Sequence, residues 1–333
     1  MGPAVGGIMG VFAFPLLLLL AQADPSPVPA PDVRATPPAQ PVTTEPVPLG
    51  GIDVVNEEPR YVSPTRVDKI GRIWAPVSVN GQGPFRLVLA TGASHSALTL
   101  RLAQALGMQA DPAKTVMLHG ATGSVRVPMV PVETLEIGDL LIEPRRLPVI
   151  PDALGGADGV LGMDELANMR IHIEFRHDRI TIMRSKKQRA PGQFEIIPVK
   201  FMHGQLLVVD AYMSGVPVKA IIDTGGETTL GNVALREALA ERRKKEIQEG
   251  KLDQVIGATL DMQVGTRLDT PTLRLGEVLV RKPKMTFADF EIFKHWHMTE
   301  EPAMLIGMDV LGVLDTLIID YKRKELQVKL ARN

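Results

Sequence analysis

Eight residues decide the fold. "AIIDTGGE", Ala220 to Glu227, has a second form in the same chain, "LVLATGAS", Leu87 to Ser94, 133 positions earlier (223 − 90). Each is an apolar, strand-favouring run ending on Thr-Gly, where a glycine permits close backbone approach. Upstream, both runs follow a Gly-containing turn, "VNGQGPF" and "MSGVPV". Downstream, "LEIGDLLIE" from Leu135 is matched by "LRLGEVLVR" from Leu273, alternating strands around tight turns at Gly138-Asp139 and Gly276-Glu277. A third landmark, "GVLGMDELANMRIHIEFRHDRITI" from Gly159, is matched by "MLIGMDVLGVLDTLIIDYKRKELQV" from Met304. The order is the same in both halves, so the chain is a tandem repeat. The spacing grows from 133 to 138 (273 − 135) and then 145 (306 − 161), which puts insertions in the second copy.

One insertion reads as "LREALAERRKKEIQEGK" from Leu235, a charged surface helix or lid-like excursion with Glu and Lys or Arg spaced to pair. The rest of each copy is short strands with one brief helix after the Gly-Met-Asp turn, whose N-terminus Asp164 and Asp309 are placed to cap. Ile171, Ile173, Phe175, Ile180 and Ile182 alternate as half-buried strands do, and Leu317, Ile319, Leu326 and Val328 match them in the second copy. Composition agrees, since 30 Gly and 27 Pro against 4% aromatic residues favour strands and turns over a helical bundle. The expected fold is all-β, mainly strands with short helices, in two lobes at residues 56–188 and 189–333, joined near "SKKQRAPGQ".

A chain of 333 residues at 45% hydrophobic can bury two cores, and a net charge of −1 gives no basic field to attract nucleic acid. Cysteine is absent, which removes thiol nucleophiles, disulfides and cysteine metal sites. Ile8 to Leu20 is an apolar run followed by Ala21-Gln22-Ala23, the pattern of a cleaved signal peptide over residues 1–23, although no Lys or Arg precedes it. Export to the periplasm or outside the cell is expected, with no stable membrane insertion after cleavage. Residues 24–55 are dense in Pro, Ala, Thr and Val, a tether that cannot build a core.

The Asp-Thr-Gly of Asp223, Thr224 and Gly225, with the later "VLGMD" and "LIGMD", resembles the retropepsin-like aspartic proteases over roughly Arg60 to Met183 and Phe194 to Leu330. The resemblance implies two lobes meeting about a two-fold axis, here both in one chain as a pseudo-dimer. It also implies a pair of carboxylates sharing a proton, one activating water and the other donating to the developing oxyanion. Flaps over the cleft are implied at "VMLHGATGSVRV", Val116 to Val127, and "VIGATLDMQVGTRL", Val255 to Leu268. The partner implied is an extended polypeptide, and no cofactor or metal is needed.

One carboxylate is missing, because the first copy reads Ala90-Thr91-Gly92. Thr91 and Gly92 keep the loop and the grip between threonines, while Asp223 becomes a base without an acid, its pKa expected to fall toward that of an ordinary carboxylate. Four readings accommodate Ala90: a pseudoprotease that binds extended peptides without cutting; a homodimer pairing Asp223 with Asp223 of a second chain; substitution by another acid, with Asp158 the candidate; or an inactivating replacement in a working protease. Glu227 adds a charge beside Asp223 that matters only if buried. "HWH" at His295 to His297 reads as surface or cleft-rim packing, since residues two apart on a helix do not face each other, and His119 as an exposed flap-tip residue. Ser94 and Ser96 lack the Gly-x-Ser-x-Gly elbow of a serine hydrolase. A purely structural scaffold would show no selectivity for extended peptides.

Overall fold

The computed structural model of the chain describes residues 60–64 and 72–330, apart from residues 139, 164–165, 167, 178, 187, 193, 204–205 and 243–249. The expected signal peptide, the tether, Asp164 as a helix cap and the later part of the charged stretch lie outside the described residues. All described residues fall in one compact unit, Val54–Asn333.

The first half of the chain supplies β1 (Arg60–Pro64), β2 (Trp74–Val79), β3 (Gln82–Leu89), β4 (Ala97–Thr99), α1 (Leu100–Ala105), β5 (Asp111–His119) and β6 (Ser124–Val132). It continues with β7 (Leu135–Ile137), β8 (Leu140–Ile142), β9 (Arg145–Ile150), β10 (Gly159–Leu161), β11 (Met169–Glu174) and β12 (Arg179–Arg184). The second half supplies β13 (Glu195–Pro198), β14 (Lys200–Met202), β15 (Leu206–Met213), β16 (Val216–Ile222), β17 (Leu230–Gly231), α2 (Val233–Arg242), β18 (Lys251–Ile256) and β19 (Met262–Asp269). After these come β20 (Leu273–Leu275), β21 (Val278–Val280), β22 (Lys284–Phe287), α3 (Glu291–His295), β23 (Ala303–Ile306), α4 (Met308–Leu311), β24 (Leu314–Asp320) and β25 (Glu325–Leu330).

The repeat becomes a symmetry of topology. The first lobe's sheet runs β5-β6-β9-β4-β10-β3-β2-β7-β8, and the second runs β18-β19-β22-β17-β23-β16-β15-β20-β21, position for position. A third sheet, β1-β12-β11-β24-β25-β13, reads the same from either end under that correspondence and joins the lobes at its centre. There β11 and β24 pair antiparallel, with Ile171 opposite Ile319 and Ile173 opposite Leu317. The alternation expected from sequence holds: Ile171, Ile173, Ile180, Ile182, Leu317, Ile319, Leu326 and Val328 are all buried. Phe175 is half-buried in a 3-10 turn that follows β11.

Burial explains why the key strands read as apolar runs rather than alternations. β2 alternates, with Ala75, Val77 and Val79 inward. The ends of β3 and β16 are different: each is sandwiched mid-sheet beside a parallel neighbour, β10 and β23 respectively, so Leu87, Val88 and Leu89, like Ala220, Ile221 and Ile222, are buried on both faces. Both strands therefore end inside the molecule, and the loops they carry are held from beneath.

Two expectations are corrected. The helical stretch around Leu235 is no free insertion: α2 follows β17 as α1 follows β4, and it buries Leu235 and Leu239. Its start is capped by Asn232, whose Oδ1 accepts from the Leu235 N–H at 2.8 Å. Asp309 does not cap α4. Its N-cap is Gly307, and the Asp309 carboxylate accepts from the Thr229 N–H at 3.1 Å and the Thr229 hydroxyl at 2.6 Å. Asp309 thus ties the second Gly-Met-Asp segment to the strand after the Asp223 loop.

The linker between the halves is fastened to the polar face of the shared sheet. The Ser185 hydroxyl donates to Asp320 at 2.5 Å, Arg170 donates to the Gln188 carbonyl at 2.5 Å, and the Ala190 N–H donates to Gln327 at 2.9 Å.

Candidate active site

The loops after β3 and β16 meet, and threonines clamp them. The Thr224 hydroxyl accepts from the Thr91 N–H at 3.2 Å and donates to the Leu89 carbonyl at 2.7 Å. Reciprocally, the Thr91 hydroxyl accepts from the Thr224 N–H at 3.1 Å and donates to the Ile222 carbonyl at 2.6 Å. Both side chains are fully buried. The four bonds satisfy four backbone groups that would otherwise be orphaned between lobes. The grip expected from Thr91 and Thr224 is in place, and the Ile222 and Leu89 carbonyls complete it.

Glycines let the two loops approach. A Cβ on Gly92 would lie 2.6 Å from the Asp223 carboxyl carbon, and one on Gly225 would lie 2.6 Å from the Ala90 methyl. Ala90 and Asp223 are therefore opposed across the approach, within one chain. The same economy explains the repeated Gly-Met-Asp segments: a Cβ on Gly162 would overlap the His95 backbone, and one on Gly307 would meet the Thr228 carbonyl carbon at 2.8 Å. Each glycine N–H is bonded in turn, Gly162 to the Ser96 hydroxyl at 3.0 Å and Gly307 to the Thr229 hydroxyl at 3.1 Å. Ser96 is thereby a buried brace for the loop, with no role as a nucleophile in this geometry.

Asp223 lies on the floor of this arrangement. Its Oδ1 accepts from the Gly225 N–H at 2.9 Å and the Gly92 N–H at 3.2 Å. Asp223 is half-buried, and loss of water around its carboxyl drives it above the ordinary carboxylate range, only partly opposed by the N–H groups of Gly225, Gly92 and Gly226 and the charge of Arg72. The expected fall toward an ordinary value is therefore corrected, because desolvation does what a second carboxylate would have done. Glu227 is exposed and is not among the causes. A carboxyl raised in the folded state stabilises fully below its unfolded pKa, and that contribution is lost as the pH rises through the folded value. Asp223→Asn should therefore raise the melting temperature at pH 7.5, by about 2 to 4 °C for each kcal/mol recovered, and give no such gain at pH 4. Scanning calorimetry at the two pH values checks both halves of this expectation.

The remaining candidates have other duties. Asp158 accepts from the Arg86 N–H at 2.9 Å and pairs with Arg101 at 2.9 Å, so it does not stand in for the missing acid beside Asp223. The stretches expected as flaps form the β5–β6 and β18–β19 hairpins, and their tips are stitched together. The Thr122 hydroxyl donates to the Asp261 carbonyl at 2.7 Å and accepts from the Gly257 N–H at 3.0 Å. His119, at the end of β5, stacks on His295 with ring centroids 3.8 Å apart. Nothing in the sequence pointed to that stack, since the two rings are 176 residues apart (295 − 119). Among the described residues no three His, Asp or Glu side chains converge as metal ligands. A concavity of about 430 Å³ at the outer edge of the second lobe is lined by Phe194, Glu195, Glu277, Val278, Val328 and Leu330, and by none of the loop residues.

Chemically the site offers one half-buried carboxyl that holds its proton into milder acid than usual and can donate it to a carbonyl oxygen. Among the described residues the group opposite Asp223 is the Ala90 methyl, which neither takes nor gives a proton. A family model described as aspartyl protease matches residues 75–164 and 209–310, one segment in each lobe. A search of curated proteins found no match.

Proposed function

Because the chain belongs to the aspartyl protease family, we propose that it uses that fold as a cleft for extended polypeptides and does not hydrolyse them at an enzyme's rate. The observation that carries the reading is the Ala90 methyl opposite Asp223, where the fold's chemistry needs a second carboxyl. Binding needs less than hydrolysis does. An extended peptide lying between floor and flaps takes its hydrogen bonds from strand backbone, and its side chains alternate between lobes. Asp223, protonated in mild acid, donates to a ligand carbonyl without activating water. On this reading the chain works outside the cytoplasm, which rests on the apolar run Ile8 to Leu20 and the small residues that follow it.

Closed flaps make a specific demand: a peptide must displace the Thr122 contacts to enter and is then covered by both tips. Hydrogen exchange read by mass spectrometry, with and without a pool of extended peptides, tests this. Exchange should slow at residues 120–124 and 257–262 and along the loops of Ala90 and Asp223. Protection confined to the outer edge of the second lobe, or none at saturating peptide, would refute the proposal.

A further inference from the structure

The roof of the site is fastened asymmetrically, and histidines are the cause. By register, Val149 and Phe287 are equivalent partners of β4 and β17, as are Gly159 and Met304. Between those marks the first lobe has 9 residues (159 − 149 − 1) and the second has 16 (304 − 287 − 1). The additional residues form α3, whose aromatic base of Phe290, Phe293 and Trp296 packs against Ala121 at the first flap's tip. The Ile292 N–H reaches the Ala121 carbonyl at 3.4 Å. Above that contact the His119 ring lies on His295 at 3.8 Å with an interplanar angle of 11°. His119 is fixed from the far side of its hairpin by Ser124, Nδ1 to Oγ 2.8 Å. The second flap is fastened differently: Gln263 donates to the Asp289 carbonyl at 2.8 Å, and the position equivalent to His119 is Ile256, 63% exposed.

The surroundings of His295 oppose a proton on its ring. His203, held at 3.1 Å to the Trp296 carbonyl, His297 on the adjoining turn and His119 itself all oppose a proton on His295. Burial opposes it more, and only Glu291, one turn back on α3, favours it. Lys294 is already paired with Asp289 at 2.8 Å. One proton can be shared across the stack, but a second places two like charges in contact. Separating the rings removes that repulsion. Acid therefore favours separation, by the rule that protons stabilise whichever state binds more of them.

We propose that the stacked His119–His295 pair is an acid-released latch that holds the first flap shut against α3 at neutral pH and lets it swing open as the pH falls. The latch is independent of any ligand, so it is tested on the free chain. There is no native cysteine, so spin labels on Arg126→Cys in the first flap and Met262→Cys in the second report the distance between the hairpins by pulsed electron paramagnetic resonance. Lowering the pH from 7.5 to 5.0 should increase the long-distance population several-fold. His119→Gln and His295→Gln should remove the response, and His119→Lys should show the long-distance population already at pH 7.5. An unchanged distance distribution in the parent chain, or an equal response in both glutamine variants, would overturn the proposal.

Discussion

Ala90→Asp is expected to raise peptide hydrolysis in mild acid by about 10²- to 10⁴-fold, the usual contribution of a positioned proton donor or acceptor. The scaffold for a second carboxyl is already built. Asp223 draws two backbone N–H groups, from its own loop and from the opposite one, and the topological symmetry offers position 90 the same surroundings. With both carboxyls present, like-charge pressure adds to burial, so one stays protonated while the other ionises and can take a proton from water. The rate should follow a bell in pH, and Ala90→Asp combined with Asp223→Asn should return it to background. The gain has a cost in stability: Ala90→Asp should lower the melting temperature more at pH 7.5 than at pH 4.5, since a second buried carboxyl is tolerated best when neutral. Initial rates on a mixed peptide pool and a thermal scan at each pH check the two parts. An inert Ala90→Asp chain that folds normally would mean that the loops are not arranged for catalysis.

Thr224→Val should cost about 2 to 6 kcal/mol of stability. The substitution keeps shape and removes the hydroxyl, which leaves the Thr91 N–H and the Leu89 carbonyl without this partner in a fully buried place, each at about 1 to 3 kcal/mol. For a domain of this size that is a fall of about 10 °C in melting temperature. Thr91→Val should behave alike, by loss of the bonds to the Thr224 N–H and the Ile222 carbonyl. The double variant should lose less than the sum, because one broken half of the grip already frees the other. Denaturant titrations of the three variants measure this directly. Losses below about 1 kcal/mol would show that the lobes are held by the shared sheet alone.

What could be read from the sequence is what sterics leave no choice about. Gly92, Gly225, Gly162 and Gly307 recur because a Cβ at any of them would collide with neighbouring atoms, so the loop and its brace are legible as a repeat. The strands of the shared sheet are legible because a half-buried strand must alternate. Asp309 and α2 escape the sequence for one reason: local pattern names a plausible cap or surface helix, and only tertiary contact with Thr229 and with β16 and β23 assigns the real partner. The pKa of Asp223 escapes it in the same way. Charge partners can be counted in a sequence, but desolvation depends on what closes over the group. The flap stitch at Thr122 and the His119–His295 stack join residues more than a hundred positions apart and carry no local signature.

The central claim, binding without turnover because Ala90 faces Asp223, is tested most directly in one experiment on the chain as it stands. The protein is held at pH 5 with a mixed peptide library, and mass spectrometry reads both the peptides it retains and any new termini in the pool. The account predicts selective retention of extended peptides and no new termini above a protein-free control. New termini that disappear in Asp223→Asn would contradict it, because Asp223 would then be hydrolysing peptide without a carboxyl at position 90.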